Sequence, residues 1–115
     1  MRKFKNIEEA LQKFEEAAIK HAGATEQGDY KTANKCYAVI ANVILFLKEQ
    51  NEIKQLSVLL NNDSVGVRGW AATYLLPIKE REAIQVLGQI AGGIGIHSFT
   101  AKTTLSEWGK GKLKL

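Results

Sequence analysis

Apolar residues recur along this chain at spacings of three and four, and no stretch sustains the two-residue alternation of a half-buried strand. Ile7, Ala10, Leu11, Phe14, Ala17, Ala18 and His21 mark one face of a helix running from about Asn6 to Thr25, and Asn6 with Glu9 forms a capping-box-like start. Glu9 with Lys13 and Glu16 with Lys20 stand four apart in the favourable order, which predicts an ion-paired, solvated opposite face. Gly28 and Asp29 interrupt the pattern, and Tyr30, Ala33, Tyr37, Ile40, Ala41, Ile44 and Leu47 begin a second stripe. Cys36, Val39, Val43 and Phe46 add another stripe to that helix, so it is expected in the middle of a stack with neighbours on both sides. Asn34 and Asn42, eight residues apart on one of its faces, would then need buried partners.

Asn51 and Glu52 open a short third helix that stops at Asn61-Asn62-Asp63-Ser64, residues that favour turns and caps. A fourth helix carries Val67, Trp70, Ala71, Tyr74, Leu75 and Ile78 on one face, with the single proline, Pro77, near its end. A fifth spans Glu80 to Ala91 and ends at Gly92, Gly93 and Gly95, where glycine suits a left-handed cap. Ser98 is positioned to cap a sixth helix, with Ala101, Leu105 and Trp108 inward and Gly109 and Gly111 terminating it. Ile53, Leu56 and Leu59 are echoed at a shift of 31 by Ile84, Leu87 and Ile90, and Ala71 and Leu75 at a shift of 30 by Ala101 and Leu105. A two-helix unit used twice is the mark of a stacked helical repeat.

The segment Asp63-x-x-x-Val67-Arg68-x-x-Ala71-Ala72-x-x-Leu75 resembles the HEAT repeat. The chain is also similar, through Gly28-Asp29-Tyr30, Ala33-Asn34-Lys35, Val67-Arg68-Gly69-Trp70-Ala71-Ala72 and Ala101-x-x-x-Leu105-x-x-Trp108-x-x-Gly111, to a family of small bacterial HEAT-like proteins known only as a domain of unknown function. The resemblance implies an all-α, right-handed α-α superhelix of about six helices, HEAT/armadillo-like. It would form one domain over residues 1–115, with a helical cap at about 6–50, repeat units at about 52–78 and 80–109, and basic flexible ends. It implies for Asp63 and Arg68 hydrogen bonds between neighbouring repeats, although His97 and Ser98 stand where the second copy would repeat Val-Arg. It also implies that the second helix of each pair lines a concave surface. The residues left facing that groove would be Thr73, Lys102, Thr103 and Ser106, with Arg68 at its edge, a shallow lining of mixed polarity.

Composition narrows the function classes. The 115 residues are 45% hydrophobic and 24% charged, which suits one small globular domain. The formal charge is +4, but Arg2, Lys3 and Lys5 at one end and Lys110, Lys112 and Lys114 at the other supply six positive charges, so the body between them is slightly acidic. Basicity confined to the ends argues against a dedicated nucleic-acid surface. The lone Cys36, with no apolar leader at the start, leads us to expect a cytoplasmic protein. The apolar run Ala38 to Leu47 is about half the roughly 20 residues of a membrane span.

No residue pattern here builds a catalytic, metal or cofactor site. His21 and Cys36 are two potential ligands where structural zinc needs four, His97 has no carboxylate nearby in sequence to orient it, and the Gly92–Gly95 run lacks the lysine and strand of a phosphate loop. Trp70 and Trp108 fall at inward positions, although a partly exposed tryptophan makes a good interface anchor. The expected function is therefore that of a non-catalytic protein-binding module without cofactors, in the manner of a toxin-immunity protein, an inhibitor or an adaptor. Weak, sequence-independent nucleic-acid binding is the alternative, and a shallow groove of this kind argues against a small-molecule ligand.

Overall fold

A computed structural model describes residues 4–115. Arg2 and Lys3, part of the basic N-terminal end, lie outside the described residues. The chain folds as α1 (Ile7–Glu26), α2 (Tyr30–Glu49), a 3-10 helix (Ile53–Leu59), α3 (Val65–Leu75), α4 (Glu80–Ala91) and α5 (Ile96–Gly109), with no strand among the described residues. Among the described residues no helix is long and apolar enough to cross a membrane.

Local chemistry sets the helix ends. Asn6 Oδ1 accepts from the Glu9 amide at 2.8 Å, while Glu9 Oε1 reaches one residue further back than a capping box does, to the Lys5 amide, also at 2.8 Å. Lys13 on the same helix pairs with Glu16 at 3.9 Å. At the far end of α1 the Asp29 amide donates to the Ala24 carbonyl (2.8 Å) and the Gly28 amide to that of Thr25 (3.1 Å), with Gly28 at φ 73°. The same paired closure recurs after α2 around Asn51, at φ 57°, and after α5 around Gly111, at φ 70°. The glycines after α4 differ from expectation. Gly92 caps α4 in ordinary helical geometry, and only Gly95, at φ 97°, takes a positive φ, as the residue leading into α5.

The third predicted helix is the 3-10 segment, and its apolar spacing explains why. With three residues per turn, Ile53, Leu56 and Leu59 form a straight row, and Leu56 and Leu59 are buried. On α4 the same three-residue spacing drifts by about 60° per step, so Leu87 and Ile90 are buried while Ile84 is left exposed. The two segments thus share a pattern of apolar residues and differ in the helix that carries it. α3 ends at Leu75, with Leu76 as its cap, where Pro77 leads one to expect a stop or kink. Ile78, expected inward, is exposed.

α3 is the hub of the molecule, packing against α1, the 3-10 helix, α4 and α5. Its approach to α1 is set by Gly66, where a Cβ would stand 2.7 Å from Ala22 Cβ and 2.9 Å from the Ala18 carbonyl oxygen. Phe14, Ile40, Leu47, Leu56, Val67, Leu75 and Leu87 fill the core around this junction. α2 does not sit in the middle of the molecule. It lies against α1 with only slight contact to the 3-10 helix, so Tyr30, Tyr37, Val39 and Leu45 remain exposed and Asn34 and Asn42 face outward, needing no buried partners. The radius of gyration is 13.3 Å, close to the roughly 13 Å of a compact 100-residue domain.

Candidate functional site

α3 brings the candidate site together around Trp70. The indole meets the His21 ring edge-on at 5.3 Å, tilts over Tyr37 at 5.7 Å and stacks on Tyr74 at 6.0 Å with 15° between planes. These rings come from α1, α2 and α3. They form one wall of a cavity of about 300 Å³, whose floor includes Val65, Gly66, Leu87, Ile90 and Ala101. The lining is predominantly apolar, unlike the mixed surface expected from the sequence. Trp70 is half-buried at this wall and is not a fully enclosed core residue.

The cavity rim is held by contacts between residues far apart in the chain. His97 Nε2, at the start of α5, lies 2.7 Å from Glu26 Oε2, at the end of α1. This is the orienting carboxylate that the neighbourhood of His97 in sequence does not contain. The Gly111 turn folds the last residues back, so that Leu113, Lys114 and Leu115 line the cavity and the two leucines are partly buried. A wholly solvated basic end was expected there.

The polar groups divide into those already engaged and those still available. Thr73 Oγ1 donates to the Gly69 carbonyl at 2.7 Å and Thr104 Oγ1 to that of Thr100 at 3.0 Å, so both hydroxyl protons are committed to the backbone. His21 Nδ1 is 3.5 Å from Thr25 Oγ1. Burial, and after it the nearby His97, hold the His21 imidazole below its ordinary pKa of 6.5. Burial pushes the Tyr74 phenol up to about 12, helped by Tyr37. Lys114 has no ion-pair partner among the described residues, and no carboxylate side chain, serine or cysteine lines the cavity.

The five residues expected in the groove separate. Thr73 lines the cavity, whereas Lys102, Thr103 and Ser106 are exposed on the flank of α5 away from it, and Thr100 and Thr104 take the lining positions. Arg68 is half-buried and donates through Nη1 to the carbonyls of Asn62 (2.8 Å) and Asp63 (3.1 Å), closing its own turn and not bridging to the next helix pair. Asn62 ties that turn to α1 by donating to Glu15 Oε2 at 2.7 Å. Ser98, expected as a cap, is buried two residues inside α5, with Oγ 2.7 Å from the Ala91 carbonyl oxygen and 3.0 Å from that of Gly93. Trp108 is half-buried and donates from its indole to Glu80 Oε2 at 2.7 Å, joining α5 to the start of α4. Cys36 is buried, and no group of three His, Cys, Asp or Glu residues among the described residues could hold a metal ion.

A second feature stands beside the cavity. The turn into α5 carries Ile94, 98% exposed, with Ile96 and Phe99 also strongly exposed. Sequence pattern alone passes over them because Gly93 and Gly95 read as punctuation around Ile94.

No family model matches the chain, and no curated protein matches it in sequence. In fold it is similar to the crystal structure of the protein RPA1889 from Rhodopseudomonas palustris CGA009, with a TM-score of 0.88 over 96% of this chain and 94% of that chain, at 18% sequence identity. At that identity the likeness establishes a shared all-helical fold and carries no activity with it.

Proposed function

We propose that this chain is a non-catalytic protein-binding module, a small HEAT-like stack that acts on one partner as a toxin-immunity protein, inhibitor or adaptor does. The observation that carries the reading is the apolar projection Ile94, Ile96 and Phe99 at the start of α5. Large apolar side chains held out in water, Ile94 between Gly93 and Gly95 and Ile96 and Phe99 in the first turn of α5, raise the free energy of the free protein, and covering them with a partner lowers it. They continue into the polar surface of Lys102, Thr103 and Ser106 on the same helix, giving an apolar centre with a hydrophilic margin. The right-handed HEAT-like arrangement is supported by the equivalence of buried positions in the two copies, Leu56 with Leu87, Leu59 with Ile90 and Ala71 with Ala101.

The test is affinity capture from the native cell with the wild-type chain and with the double variant Ile94→Asp, Phe99→Asp. The wild type is expected to retain one stoichiometric protein and the variant to lose it at unchanged melting temperature. Retention of that protein by the folded variant would overturn the assignment of this surface. Capture of nucleic acid instead would overturn the protein-binding reading.

A further inference from the structure

We propose that the cavity walled by Trp70 is a binding site for a small monocarboxylate with an aromatic or branched apolar body, a ligand distinct from the protein partner of the α5 surface. Three observations converge on that chemistry. The first is the wall itself: the parallel stack of Trp70 on Tyr74, with His21 edge-on, leaves a flat π-surface above Leu87 and Ile90, suited to a planar or branched apolar group. The volume of about 300 Å³ lies at the lower end of the roughly 300–1,000 Å³ of small-molecule sites, so the body is of single-ring size.

The second is charge. The titratable side chains lining the cavity are His21, His97, Lys114, Tyr37 and Tyr74, with no carboxylate side chain among them. Glu26, beside the rim residue His97, is engaged by it. With the protons of Thr73 and Thr104 given to backbone carbonyls, the donors that remain are the Trp70 indole, the Tyr37 and Tyr74 phenols, Thr100, the imidazoles and Lys114, and of these Lys114 is a cation with no ion-pair partner among the described residues. These complement an anionic head.

The third is that the space is kept open. Gly69 lines the cavity in the interior of α3, and a Cβ there would meet nothing closer than Ile90 Cδ1 at 3.8 Å. Alanine would fit at this position and is the better helix former, so the glycine gives up helix stability and leaves volume at the wall.

The experiment is isothermal titration of the full chain with 3-phenylpropanoate and, separately, with its neutral isostere 3-phenylpropanamide, at pH 7 and low salt. Saturable 1:1 binding of the acid is expected, with the amide weaker by about tenfold. Lys114→Glu, an exposed substitution that leaves the core untouched, is expected to weaken the acid by a similar factor and the amide hardly at all. Gly69→Leu, checked for an intact helical spectrum, is expected to abolish both. No saturable binding of the acid up to millimolar concentration would overturn the site. Equal affinity for acid and amide, or an acid affinity indifferent to Lys114→Glu, would overturn the anionic-head assignment. The α5 surface variant Ile94→Asp, Phe99→Asp is expected to bind the acid as the wild type does, which separates this site from the protein-binding surface.

Discussion

His97 and Glu26 lie 71 residues apart in the chain, yet their side chains meet at 2.7 Å and join the end of α1 to the start of α5 over the cavity rim. The Glu26 side chain is more than half exposed, so solvent screens the pair and its net contribution is small.

We therefore expect a double-mutant cycle with His97→Ala and Glu26→Ala to return a coupling of less than about 1 kcal/mol at neutral pH. Urea denaturation of the four proteins measures it. A coupling of several kcal/mol would mean that the latch is buried from water in a way its exposure contradicts.

Two glycines of α3 should respond to alanine with opposite sign. At Gly66 the new methyl group would collide with Ala22 and with the Ala18 carbonyl, so Gly66→Ala is expected to destabilise by about 1–3 kcal/mol, as overpacking does. At Gly69 the methyl group meets only an ordinary contact, and Gly69→Ala is expected to stabilise by about 0.5–1 kcal/mol through helix propensity. Thermal melts of the pair decide this, and equal signs would refute the packing at the α1–α3 junction.

Ala71, a small residue in the middle of α3, has no exposed surface. Ala71→Asp would bury an unpaired carboxylate between helices, and a loss of several kcal/mol is expected. A melting temperature equal to that of the wild type would remove Ala71 from the core.

The helical elements are legible in the sequence, because helices announce themselves through period and punctuation. The boundaries of α1 and α2 fall where Asn6, Gly28 and Asp29 indicate. The cavity could not be read in the same way. Its lining is drawn from five helices, with Tyr37 alone from α2, and from the folded-back end, and a single helix shows which of its positions are apolar without showing how far its neighbours stand off. α5 illustrates the difficulty. Ala101 and Leu105 point inward as expected, but an inward stripe has two flanks, and the cavity adjoins the one bearing Thr100 and Thr104, opposite to Lys102, Thr103 and Ser106. Likewise α2, apolar over most of its circumference, was expected between neighbours, and nothing along its own sequence reveals that α1 covers only one side.

The depressed pKa of His21 makes stability depend on pH in a defined direction. The unfolded chain binds a proton near the ordinary value of 6.5, while the folded chain, with the imidazole partly buried and His97 nearby, resists protonation until lower pH. Stability at this site is therefore complete above 6.5 and declines as the pH falls from there through the folded-state pKa. His21→Gln is expected to flatten that part of the stability profile. An NMR titration of the His21 ring in the folded protein checks the cause, and a midpoint above 6.5 would reverse the sign.

Gly66 also has a bearing on other chains of this fold. It both lines the cavity and fixes the separation of α1 from α3. A chain of this shape that carries a larger residue at the same position has to spread those two helices, and the spreading alters the pocket floor directly. The identity of one residue would therefore serve as a gauge of cavity dimensions, readable in any related sequence without a structure.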